Sequence, residues 1–196
     1  MFTGIVESVG KVSKLRKEGS NQHISIAADF VDELKIDQSI AHNGVCLTVV
    51  DIQEKEYTVT AVDETLQKSN IGDLKENHLV NLERSVTMNQ FLDGHLVQGH
   101  VDQTAVCEKI DFKNGSWEFT FKYDKNTDFV TIEKGSIAVN GISLTVVNSR
   151  DDRFSVAVIP YTYEHTNFKQ MQAGDNVNLE FDVIGKYVQK LLDKRA

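Results

Sequence analysis

Residues 39–50 read SIAHNGVCLTVV and residues 136–147 read SIAVNGISLTVV, so nine of twelve positions agree at an offset of 97. The agreement continues outside that stretch: Thr65 falls on Thr162, Asn70 on Asn167, and the NLE triplet at 81–83 on that at 178–180. Near the start, Gly4 and Val6 match Gly99 and Val101 at an offset of 95. A fixed self-similarity governs the architecture ahead of any local signal. Two copies of about 90 residues, each long enough to own a core, predict twin domains and not a stacked solenoid. The differences inside the repeat are equally informative. Cys46 is answered by Ser143, Ile5 by His100 and His42 by Val139. Two pockets of one shape with unlike polar groups suit a protein that holds two similar molecules and treats them differently.

Composition narrows the classes. The 196 residues are 40% hydrophobic, enough for two modest cores. The net charge is −8 with no Lys/Arg cluster, which argues against nucleic acid or an anionic membrane as main partner. Cys46 and Cys107 make no disulfide framework and have no zinc-like spacing. The start, MFTGIVES, has no basic, then apolar, leader pattern, and no apolar run reaches the roughly 18 residues of a membrane span. A soluble, cytoplasmic protein is expected.

Short alternating or apolar runs dominate, with β-branched enrichment and polar turn clusters between them. They predict strands over 4–12, 22–27, 39–40, 47–52, 57–62 and 78–83, and again over 99–110, 117–123, 136–139, 144–148, 154–159 and 176–181. That spacing marks an all-β sandwich or barrel. Asn43-Gly44 and Asn140-Gly141, flanked by apolar residues, predict tight hairpin turns. Residues 63–68 and 161–167 read as short helical turns, and Pro160 as a strand end. Residues 85–93 form a compact connection, giving domains at 1–92 and 93–183. Ile184, Tyr187, Val188, Leu191 and Leu192 recur with helical period, so 184–196 is read as an amphipathic helix. It either covers a barrel end or joins chains.

Chemistry concentrates in residues 94–102, GHLVQGHVD. His95 and His100 are five apart, would face opposite sides of a strand and have no evident third partner, so a metal site is not expected. His23, His42 and His78 read as ordinary structural histidines. His100 differs because its repeat partner is Ile5, and imidazole suits proton transfer near neutral pH. Cys46 with Thr48, and Ser143 with Thr145, are i, i+2 pairs on one strand face. They could bind heterocycle edges, although threonine is an ordinary strand former and cysteine a small hydrophobe. No nucleophile elbow, phosphate loop or dinucleotide fingerprint occurs.

MFTGIVE, NGVCLTV, GHLVQGHVD, NGISLTVV, the run TYEHTN and NLEFDVIGKYV together resemble the riboflavin synthase α-chain family, over the whole sequence. The resemblance implies two six-stranded Greek-key barrels, a C-terminal trimerisation helix over 184–196, and a homotrimer with sites between neighbouring subunits. It implies dismutation of 6,7-dimethyl-8-ribityllumazine to riboflavin and a ribitylamino-pyrimidinedione, without metal or other cofactor, and raises association with lumazine synthase. Carried over by residue, the active-site groups are His100, Ser143, Thr145 and Asp182 with Cys46 and Thr48. His100 and Ser143 take proton transfer and nucleophile activation, Asp182 steers the imidazole or binds the ribityl chain, and Phe2 closes over the site. Further substrate contacts are expected from Gly4, Ile5, Val6, Ser39, Leu47, Thr60, Val62, Thr65, Gly99, Val101, Lys134, Leu144, Ile159, Thr162 and Glu164. Val45 stands where some members have a second cysteine. The competing reading is a non-catalytic lumazine or flavin carrier that resembles the synthases but has lost one pocket. Here both copies keep Asn-Gly and Leu-Thr, which favours the enzyme.

Overall fold

The computed structural model describes residues 1–125 and 130–194. Alternating buried and exposed residues build six short strands in each half, as a half-buried sheet requires. β1 (Ser8–Glu18), β2 (Asn21–Ala27), β3 (Ser39–His42), β4 (Val45–Gln53), β5 (Glu56–Ala61) and β6 (Leu79–Arg84) close an antiparallel barrel in the order β1-β2-β5-β4-β3-β6. β7 (Gln103–Phe112), β8 (Trp117–Tyr123), β9 (Ser136–Val139), β10 (Ile142–Val147), β11 (Arg153–Val158) and β12 (Asn176–Phe181) close a second in the same cyclic order. Closure leaves neither barrel a free sheet edge. Both Asn-Gly turns have φ positive at both residues (47° and 80°, 47° and 77°), the geometry that matches strand twist. Pro160 is the first residue of α2 (Pro160–Glu164), where its missing N–H costs nothing. α1 (Asp63–Lys68) occupies the corresponding position in the first half.

The two cores are filled differently. The first is mainly aliphatic, with Val12, Ile24, Ile26, Ile40, Leu47, Val49, Val59 and Leu82 around Tyr57. Buried among them, His42 donates from Nδ1 to the Ile40 carbonyl (3.0 Å) and accepts at Nε2 from the Tyr57 hydroxyl (2.8 Å). Burial lowers the pKa of this imidazole to about 4. In the second barrel the same two positions hold Val139 and Phe154, and the core is aromatic. Phe119, Phe121, Phe154 and Phe168 pack there, with ring centroids of Phe119 and Phe168 4.8 Å apart.

The first strand of each half departs from expectation. The ladders begin at Ser8 and Gln103, not at 4 and 99. Residues 2–6 leave their own barrel and cross to the second, and residues 97–101 cross to the first. Phe2 and Val97 pair where the two segments pass: the Phe2 N–H donates to the Val97 carbonyl (2.7 Å), and the Val97 N–H donates back (3.1 Å).

Six asparagines related by the repeat lock the barrels together. Asn70 N–H donates to Asn178 Oδ1 and Asn167 N–H to Asn81 Oδ1, both at 2.7 Å. The amide of Asn178 reaches the Asn43 carbonyl (2.9 Å) and that of Asn81 the Asn140 carbonyl (3.0 Å). Each contact therefore occurs twice with the halves exchanged. Buried amides are tolerable because the ring satisfies them internally.

α3 (Val183–Asp193) follows. Asp182 caps it by accepting from the Ile184 N–H (2.9 Å), and Lys186 anchors it by donating to Asp102 (2.7 Å). The apolar stripe is uncovered: Ile184, Tyr187, Val188, Leu191 and Leu192 are 51–71% exposed. Residues 195 and 196 of the expected helix lie outside the described residues.

Candidate active site on two exchanged shelves

In each barrel, the strand after the Asn-Gly turn sends one face inward and the other out. Leu47 and Val49 are buried in the first core, so Cys46 and Thr48 stand on the outer surface of β4. In β10, Leu144 and Val146 pack on the second core and put Ser143 and Thr145 outside. The paired strand sets a small residue beside each reactive group, Ala41 across from Cys46 and Ala138 across from Ser143. Ser39 and Ser136 lie across from the two threonines. The result is a pair of equivalent shelves, each with two small hydroxyl or thiol groups one strand repeat apart.

The other half of the chain borders each shelf. The Ser143 N–H donates to the Gly4 carbonyl (2.7 Å), and the Cys46 N–H to the Gly99 carbonyl (2.8 Å). The two glycines have φ near +80°, and an added Cβ would sit 2.6 Å from Ser143 Cβ or Cys46 Cβ respectively. Only glycine meets both demands. Val6 packs on the second core and Val101 on the first.

Buried carboxylates hold both crossing segments. Glu83 accepts from the Thr3 N–H (2.6 Å), the Thr3 hydroxyl (2.7 Å) and the Gly4 N–H (3.0 Å). Glu180 accepts from the N–H groups of Gln98 (2.5 Å), Gly99 and His100 (2.9 Å each). Burial pushes both carboxyls above their usual range, against the downward pull of those donors. These glutamates end the two NLE triplets. The repeat displayed them in sequence, but their role depends on partners about 80 residues away, and sequence reasoning missed it.

The shelves differ in their imidazoles. His100 is exposed and follows Gly99, the residue against Cys46, so its backbone lies at the edge of the first shelf. Ser143 instead meets His95, with Nδ1 and Oγ 2.7 Å apart. Burial lowers the His95 pKa, and the nearby Asp182 charge opposes that shift. Asp182, expected to steer the imidazole or bind the ribityl chain, lies near His95 and caps α3. Sequence spacing raises His95 only as a metal ligand, and nothing local pairs it with Ser143, 48 residues on. Among the described residues, no group of three His, Cys, Asp or Glu is gathered to hold a metal ion.

The remaining expected contacts divide. Phe2 is 1% exposed and packs with Ala41, Val97 and Ala138 between the halves, in a cluster that Cys46 also touches. Leu47 belongs to the core by strand alternation, and only Leu144 is half-buried. Ile5, Thr48, Thr145, Val62, Ile159 and Glu164 are exposed, and Ser39, Thr65 and Thr162 half-buried. Thr60 shares a hydrogen bond with His23 (2.9 Å). Lys134 is exposed on the loop before β9, its N–H donating to the Val146 carbonyl (3.0 Å). A cleft of about 430 Å³ runs beside Ile5, lined by Glu83, Arg84, Gln90 and Phe91. Another of about 540 Å³ opens over the asparagine ring, away from both shelves.

A profile of the lumazine binding domain matches residues 3–85 and again 98–182. The chain is 40% identical to the riboflavin synthase of Actinobacillus pleuropneumoniae, covering 100% of this chain and 91% of that one. It is 36% identical to that of Bacillus subtilis (99% and 91%) and 40% to that of Mycobacterium bovis (98% and 98%). Its fold matches LumP complexed with riboflavin (TM-score 0.85, 23% identity, 92% of this chain and 99% of that one). LumP complexed with 6,7-dimethyl-8-(1'-D-ribityl) lumazine matches with a TM-score of 0.82 at 22% identity over the same shares. With two lumazine binding domains and this identity to synthases over nearly its whole length, the chain belongs to the riboflavin synthase family.

Proposed function

We propose that the chain converts two molecules of 6,7-dimethyl-8-ribityllumazine into riboflavin and 5-amino-6-ribitylamino-pyrimidinedione, one substrate giving a four-carbon unit to the other. The observation that carries this reading is the pair of shelves with one geometry and unlike chemistry. Cys46 and His100 border one; Ser143 and His95 border the other. A reaction between two copies of one molecule needs two similar sites that treat them differently.

One lumazine must lose a proton from its C7 methyl group, and a nucleophile must add at C7 of its partner. His100, an exposed imidazole whose backbone Glu180 holds, is assigned proton transfer. Ser143 is assigned to the second lumazine, with Thr48 and Thr145 as further polar contacts on the outer faces. Holding the two heterocycles against each other supplies orientation, which typically contributes a large part of such a barrier.

The juxtaposition is assigned to neighbouring subunits of a homotrimer, the first shelf of one facing the second shelf of the next. The uncovered stripe of α3 supports this, since an apolar face of five large residues is unusual for a monomer. A groove of about 420 Å³ between α3 and residues 130–136 offers room for a second copy. Among the described residues no helix is long and apolar enough to cross a membrane, and a cytoplasmic location is part of the proposal.

The test is incubation of purified protein with 6,7-dimethyl-8-ribityllumazine alone. Riboflavin is expected at one mole per two moles of lumazine consumed. Tight binding with no turnover would leave a chromophore carrier in its place.

A further inference from the structure

Ser143 has a partner that the proposed function leaves unused. The His95 ring stands 2.7 Å from its hydroxyl and is 9% exposed. Both residues are pinned to one short segment: the His95 N–H donates to the Thr3 carbonyl (3.0 Å), the Ser143 N–H to the Gly4 carbonyl (2.7 Å). Glu83 fixes that same segment. Gly94 lets the chain run flush against the serine, since a Cβ there would lie 2.9 Å from Ser143 Cβ and 2.1 Å from the Thr3 carbonyl. The contact is therefore built by the backbone on both sides and is not a chance meeting of surface side chains.

We propose that His95 is a positioning residue for Ser143: its Nδ1 accepts the hydroxyl hydrogen and turns the Oγ lone pairs toward the ligand on the second shelf. This rests on the reading of Ser143 as a working group of that shelf. Burial favours the neutral ring, which carries one acceptor nitrogen, and outweighs the opposing pull of the Asp182 charge. The first shelf is arranged otherwise. Among the described residues His42 is spent on Ile40 and Tyr57, His23 on Glu18 and Thr60, and no imidazole is hydrogen-bonded to Cys46 Sγ. A thiol is a weak hydrogen-bond donor and gains little from such a partner, whereas a hydroxyl rotor needs one to be fixed.

The experiment is a cycle of His95→Ala, Ser143→Ala and the double variant, with His95→Asn as rescue. Riboflavin formation from 6,7-dimethyl-8-ribityllumazine, riboflavin binding and thermal melting are measured for each. His95→Ala is expected to lower kcat about tenfold to a hundredfold, the scale of a misplaced reacting group, with KM within about threefold. His95→Asn, whose amide oxygen can accept near the Nδ1 position, should recover most of that loss. In the Ser143→Ala background, removing the imidazole should cost nothing more. Losses that multiply in the double variant would overturn the proposal. So would an Asn variant that melts like the wild type yet is as slow as Ala, because proton acceptance and not position would then be at stake. A Ser143→Ala enzyme at wild-type rate would sink the reading of Ser143 itself. A slow Ser143→Ala with a fast His95→Ala would sink only the role of His95. If His95→Ala fails to fold, the same cycle with His95→Phe, which fills the site but offers no acceptor, decides whether the imidazole acts through Ser143.

Discussion

The first barrel holds a neutral histidine and a tyrosine at its centre; the second holds a valine and a phenylalanine in the same two positions. Backbone order, turn geometry and shelf placement are nonetheless the same in both. The barrel thus tolerates wholesale exchange of core chemistry if volume and strand alternation are kept. What the two halves share to the residue is the apparatus between them, the asparagine ring and the glutamate clamps. Core filling serves each half alone; the clamps serve both, and neither half can change its own without consequence for the other's shelf.

The most damaging way to test this equivalence is to remove a clamp. Glu180→Leu leaves three N–H groups, one buried and two half-buried, without an acceptor, and Glu83→Leu leaves two buried N–H groups and a buried hydroxyl. Each should cost at least about 3 kcal/mol in urea unfolding. Lumazine titration should show Glu180→Leu weakening the first shelf and Glu83→Leu the second. Damage confined to the shelf of the mutated barrel would break the exchange.

Acid should separate the barrels next. His42 titrates near 6.5 when unfolded and about 4 when folded. Between those values the unfolded chain binds the extra proton, so stability falls as pH drops from 6.5 toward 4, by about 3 kcal/mol. Hydrogen exchange should show β1–β6 amides opening before β7–β12. The double substitution His42→Val with Tyr57→Phe, which copies the second barrel, should flatten that dependence.

A smaller effect probes the contact between the turns. Gly44→Ala would bring a Cβ within 2.7 Å of the Gly141 N at a φ of +80°, costing about 1–2 kcal/mol from the left-handed backbone alone. Gly141→Ala, at φ +77° with its Cβ 2.7 Å from the Gly44 N, should match it. The smallest concerns Arg84, which donates to Glu7 and Glu33 and lies 5.1 Å over the Phe30 ring. Its counterpart, Phe181, packs edge-on to Tyr123. Arg84→Ala should cost about 1 kcal/mol, less in high salt, because the pairs are partly exposed.

The duplication, the barrels, the turns and the helix were legible because each is a local pattern written twice or written with a period. The crossing segments were not. Residues 4–12 alternate like one strand, and the break near Gly4 depends on Glu83, which no window of sequence brings near. Cys46 with Thr48, and Ser143 with Thr145, share one strand face as their i, i+2 spacing required, and the core-packed leucines and valines that alternate with them make it the outer one. His95 was misjudged for a different reason. Its spacing to His100 was read along a strand, whereas residues 95–100 form no strand and Gly99 between them has φ +82°.

Reciprocity in the asparagine ring has the form of contacts between two identical chains about a true dyad. In such a dimer every change would be forced upon both copies, so a cysteine on one shelf would be a cysteine on the other. Residues 85–93 alter that constraint more than they alter the shape. A short tether makes the encounter of the halves intramolecular, at an effective concentration of about millimolar, and makes each half separately writable. The freedom to put His100 opposite Ile5, and Ser143 opposite Cys46, comes from covalent continuity across nine residues.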